Sequence, residues 1–131
     1  MAPYIGRKVV TPPEAPSAAA VLSKAIVAVA TNLGLSQKEL SEIIGSSTSE
    51  VSRLFGKKTF LSPNTKEGEC ALLLIRIYRS LDALLDEDER QCQEWFNNDN
   101  AHLGKKPIEM SKKIEGLVEL VNYLDAMRGL A

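Results

Sequence analysis

Apolar positions recur at helical spacing along most of the chain, and nowhere do they alternate as they would in a half-buried strand. Leu22, Ile26, Val29 and Leu33 fall at intervals of four and three in an alanine-rich stretch, which predicts a helix over 17–32. That helix is apolar nearly all round, so it should lie centrally, packed on both sides. Leu40, Ile43 and Ile44, then Val51, Leu54 and Phe55, give two short one-faced helices within 35–55. Ser62-Pro63 reads as a helix start, with serine as N-cap and proline at the first helical position. The helix that follows carries Cys70, Leu73, Leu74, Ile77, Leu81 and Leu84 on one stripe and ends near Leu85. At ~1.5 Å per residue it reaches on the order of 30 Å, enough to connect two subdomains. The acids from Asp86 to Glu89 break it and cap a short helix with Cys92, Trp95 and Phe96. Asn97 to Asn100 is a polar loop, and Lys106-Pro107 opens a helical turn through Met110. Gly116 leads into a last helix that runs to about Met127, with Leu117, Leu120, Val121 and Leu124 inward. The expected fold is all-α, with seven or eight helices and no internal repeat.

The stretch from Leu35 to Phe55, LSQKELSEIIGSSTSEVSRLF, organises the first half. Ser36 with Glu39, and Ser47 with Glu50, both read as capping boxes, which supply partners to amides that a helix start leaves unbonded. Leu35 and Leu40 add a hydrophobic staple. Gly45 between the helices suits a left-handed turn. Two capped helices around a glycine turn read as helix-turn-helix. The buried faces leave Thr48, Ser49, Ser52 and Arg53 outward on the second helix, where its early residues would meet base edges in a major groove. Gln37 at the start of the first helix is a candidate for the DNA backbone. Lys57 and Lys58, just past the second helix, are candidates for phosphate contact, with solvated surface lysines as the alternative. Among all these only Arg53 offers a bidentate fork to guanine.

Charge sharpens the picture. The 131 residues carry 16 Lys/Arg against 17 Asp/Glu, so no overall field draws the chain to nucleic acid and any DNA contact is local. The basic surplus lies before Cys70 (eight against six), and the acidic surplus after it (eight against eleven). Cys70 and Cys92, the only cysteines, sit among apolar residues with no metal-ligand spacing and read as buried, reduced packing residues. Residues 1–16 hold four prolines and no period, and read as an arm, either disordered or docked on a partner. The apolar run Ala18 to Ala30 is interrupted by Ser23 and Lys24 and is shorter than the ~20 residues of a membrane span. With no signal-peptide pattern, the expectation is a cytoplasmic protein without a membrane role. His102 is the only histidine. No phosphate-cradling glycine motif, metal cluster or nucleophile with an evident base accompanies it, so neither catalysis nor a cofactor is expected.

The helix-turn-helix half resembles the Xre type of DNA-binding domain. In the second half, Trp95, Asn100, Leu103-Gly104, Pro107-Ile108, Gly116, Val121, Leu124 and Gly129 occur in an order and spacing that resemble the toxin-binding domain of the Xre/MbcA/ParS antitoxins. Individually each residue is ordinary. The chain departs from the family pattern at Asp99, where a proline often precedes the asparagine, and at Lys105, where a second glycine often follows the first.

The resemblance implies an antitoxin of a type II toxin–antitoxin system, partnered by a toxin with a RES domain, related in fold to ADP-ribosyltransferases, that consumes NAD. It implies neutralisation by blocking the toxin's cleft, with Asp125, Arg128, Gly129, Leu130 and Ala131 as the leading candidates and Leu103, Lys105 and Lys106 beside them. It also implies repression of its own operon through operator DNA. The resulting division is an arm over 1–16, a DNA-binding domain over 17–61, and the connecting helix with a toxin-binding domain over 62–131. Two helix-turn-helix copies on half-sites about 34 Å apart bind far better than one, so a homodimer or larger hetero-oligomer with toxin is expected. The competing reading is a stand-alone helix-turn-helix repressor whose C-terminal half only dimerises.

Overall fold

The computed structural model describes residues 17–130, so the arm over 1–16 and Ala131 lie outside the described residues. These residues form seven helices: α1 (Ala18–Asn32), α2 (Gln37–Ile44), α3 (Thr48–Phe55), α4 (Lys66–Leu84), α5 (Glu89–Asn97), α6 (Pro107–Met110) and α7 (Ile114–Met127). The only strand-like pairing among them is an isolated bridge between Asn100 and Lys105. The all-α expectation holds.

One core runs through both halves because α4 is shared. It packs on α1 and α2 of the first half and on α7 and α5 of the second. Ile26, Leu33, Leu40, Ile44, Leu74, Ile77, Leu81, Phe96, Leu117, Leu120 and Leu124 are all buried in this single cluster. The buried face of α4 is wider than the expected stripe, since Ala71, Ile75 and Ser80 are buried with it, as a helix packed on two sides requires. α1 is less central than its composition suggests. It leans on α3, α4 and α5 but leaves Val21, Lys24 and Ala28 in solvent.

Several starts and stops differ from the sequence reading. Ser62-Pro63 does not open α4. The N-cap is Thr65, whose Oγ1 accepts from the Gly68 amide at 3.0 Å and donates to the Ser62 carbonyl at 2.8 Å. The Ser62-Pro63 turn folds back over the helix start, so close that a Cβ on Gly68 would lie 2.0 Å from the Ser62 oxygen. Gly116 likewise does not precede the last helix but sits in its first turn. A Cβ there would lie 1.8 Å from the Met110 carbonyl oxygen, so the glycine lets α6 run directly into α7. Asn97 belongs to α5 rather than to the loop, and its Nδ2 donates to the carbonyls of Gln93 and Leu33. The acids after α4 behave as expected: Asp88 caps α5 through the Gln91 amide.

Candidate nucleic-acid and partner interfaces

Two capping sequences set the angle of the helix pair. Ser36 Oγ accepts from the Glu39 amide and the Glu39 carboxylate accepts from the Ser36 amide at 2.9 Å, a complete box. Ser47 Oγ accepts from the Glu50 amide at 3.0 Å, but the return bond is missing, because the Glu50 carboxylate takes Arg53 Nη2 at 2.7 Å instead. The second box is therefore half formed. Gly45 ends α2 at φ +77°, a left-handed turn that brings α3 across α2. Leu40, Ile43 and Ile44 on α2 and Val51 and Leu54 on α3 are buried, while Phe55 is half-buried.

This packing exposes Thr48, Ser49, Ser52 and Arg53 together on one face of α3. Gln37 is exposed in the first turn of α2. Lys57 and Lys58 are exposed where α3 ends in a Schellman-type turn: the Lys57 amide bonds to the Leu54 carbonyl at 3.1 Å and the Lys58 amide to that of Arg53 at 2.9 Å. Lys57 takes the left-handed position itself, at φ +60°, although Gly56 is next to it.

The candidate partner residues form two patches rather than one. Asn100 closes the loop before α6, its Oδ1 accepting from the amides of His102 at 2.9 Å and Leu103 at 3.1 Å. Leu103 is half-buried there, with Lys105 and Lys106 exposed beside it. Gly104, at φ +76°, takes the left-handed turn next to Lys105. The other patch lies at the far end of α7, whose 14 residues span roughly 21 Å. There Asp125 pairs with Arg76 of α4, and Arg128 Nη1 donates to Ser80 Oγ at 3.2 Å. Gly129 turns the chain at φ +73°, and Leu130 is 62% exposed. Ala131, the last of these candidates, is outside the described residues.

Sequence reasoning missed the apolar surface that accompanies these patches. Ile114 and Val118 on α7 are exposed, and so is Met127 beside Leu130. Their signal was present: they are the apolar residues of α7 left off its inward stripe. It missed Arg76 as well, since a partner 49 positions away leaves no local trace.

Burial raises the pKa of both the Cys70 and the Cys92 thiol, with nearby acids adding to the effect; both are free and buried, as expected. Among the described residues no group of three or more His, Cys, Asp or Glu could hold a metal ion, and no helix is long and apolar enough to cross a membrane.

Comparison with known families gives two adjoining matches. The model of the antitoxin Xre-like helix-turn-helix domain matches residues 12–76. That of the antitoxin Xre/MbcA/ParS C-terminal toxin-binding domain matches residues 80–129. No curated protein matches the chain.

Proposed function

The chain belongs to the Xre/MbcA/ParS antitoxins, with an Xre-like helix-turn-helix followed by their toxin-binding domain, and from that premise we propose that it neutralises an NAD-degrading RES-domain toxin and represses its own operon. Supporting the reading most directly is the order of the two matched domains, a helix-turn-helix followed by a toxin-binding domain, which meet along α4.

In this reading residues 17–61 carry the DNA contacts and 62–131 the toxin contacts. Arg53 reads a guanine edge, Thr48, Ser49 and Ser52 supply hydroxyls to bases or phosphates, and Gln37, Lys57 and Lys58 hold the backbone on either side. So few cations bind weakly as one copy, and a homodimer on two half-sites supplies the missing affinity. An obligate monomer that retained operator binding would contradict this.

On the toxin side, the segment from Asp125 to Ala131 enters the toxin's NAD cleft. The exposed Met127 and Leu130 supply apolar area beside it. Leu103, Lys105 and Lys106 meet the same toxin from the other end of α7, or a second toxin in a larger assembly. The protein acts by binding, in the cytoplasm where both DNA and NAD are found. Co-expression with the product of the neighbouring gene tests the proposal: a stable complex, restored growth and restored cellular NAD are expected. A neighbour that neither co-purifies nor depletes NAD would overturn it.

A further inference from the structure

The same capping sequence resolves differently in α2 and α3. Glu39 and Glu50 both occupy the third helical position, but only Glu39 turns back to its cap. The cause is the residue three places on, which is Glu42 after Glu39 and Arg53 after Glu50. Glu50 and Arg53 are each about half exposed, at 52% and 47%, and an i,i+3 pair so open to solvent contributes little to stability. Its consequence lies at the surface of α3.

We infer that Glu50 is a positioning residue for base readout, its carboxylate holding the Arg53 guanidinium toward the first turn of α3 with a fork of N–H groups free for the O6 and N7 of a guanine. The inference rests on the reading of α3 as the DNA-contacting helix. An unpaired arginine samples many rotamers and loses that freedom on binding; one held by a neighbouring carboxylate has already lost much of it. Nη2 spends one N–H on Glu50 and keeps the other, and Nη1 keeps both. The pair also makes the helix from Thr48 to Phe55 neutral, with one acid and one base. Attraction to phosphate of any sequence is thereby weakened, and binding depends more on the oriented fork. The target is a G·C pair facing Arg53.

The test uses the full chain. A duplex selected by the native protein from a random pool is compared with unselected duplex, across a range of salt, for the native protein and for Glu50→Gln, Glu50→Asp and Arg53→Ala. The ratio of selected to unselected affinity should fall about tenfold in Arg53→Ala, within the range of one bidentate base contact. It should fall similarly in Glu50→Gln. Glu50→Asp, which keeps the charge and still lies within reach of Arg53 as an i,i+3 partner, should retain most of the native selectivity. Glu50→Gln should also bind unselected duplex more tightly, with a salt slope steeper by about one phosphate contact. Native selectivity in both Glu50 variants, with selectivity lost in Arg53→Ala, overturns the inference and leaves the DNA reading of α3 standing. Selectivity lost in Glu50→Asp as fully as in Glu50→Gln would mean that a carboxylate able to pair with Arg53 does not suffice, and also overturns it. Native selectivity in Arg53→Ala removes the premise itself.

Discussion

Lys57 holds a left-handed backbone at φ +60° while a glycine stands directly before it, a costly choice for a residue with a Cβ. Asp86 and Glu87 take the same region after α4, and Lys57 differs from them in standing at the end of the helix proposed to enter DNA. Lys57→Gly is therefore expected to stabilise the fold by about 1 kcal/mol. It should also weaken operator binding. Thermal melting and a binding titration measure both, and stabilisation with undiminished DNA affinity would leave the strain without a function. At this scale the sequence was partly legible. Ser36, Ser47, Gly45 and Asp88 could be read because caps and turns depend on neighbours within three or four positions. The split between the two serine–glutamate pairs could have been read too, from Glu42 against Arg53 at the following position. The pairs Arg76–Asp125 and Arg128–Ser80 could not, since nothing local encodes them.

Helices were legible as far as their apolar period ran. Six inward residues fixed α4 and four fixed α7, but their starts were misplaced because backbone fit, not side-chain pattern, sets them. Gly68 and Gly116 are where another segment's carbonyl takes the space of a Cβ. Gly116→Ala should cost about 3 kcal/mol, the upper end of overpacking, because the Met110 carbonyl belongs to a backbone that cannot swing aside. Chemical denaturation measures it, and a change under about 0.5 kcal/mol would mean that α6 and α7 part easily. The other end of α7 behaves differently. Truncation before Asp125 removes the bonds to Arg76 and Ser80 but keeps Leu117, Leu120, Val121 and Leu124 in the core. The shortened chain should fold with a lowered Tm and fail to neutralise toxin.

The halves form one folded unit, and the contacts between them are the least legible feature of all. Lys112, between α6 and α7, reaches Glu42 of α2 at 3.1 Å and Glu109 at 3.1 Å. Gln93 and Asn97 of α5 bond to the carbonyls of Asn32 and Leu33, where the chain turns from α1 to α2. The hydrogen bonds that Lys112 donates to the Glu42 and Glu109 carboxylates push its pKa above its usual value. A raised pKa in the folded state means that the contribution is complete below about 10.5 and is lost as pH rises through the higher folded value. The stability difference between the native protein and Lys112→Met should therefore be steady below about pH 10.5 and shrink as pH rises beyond it; a difference that grows in alkali would contradict the linkage. The buried thiols give a second reading of the whole molecule. Because burial disfavours their thiolates, alkylation of Cys70 and Cys92 should follow global unfolding, and rapid labelling of native protein would reveal an opening of the core. One measurement tests the proposed neutralisation more directly than any other: NAD consumption by the proposed RES-domain toxin, titrated with this chain. The native chain and Arg53→Ala should both stop consumption at a fixed stoichiometric ratio, and the chain truncated before Asp125 should not. Unabated consumption with the native chain, or full inhibition by the truncated one, would contradict the account.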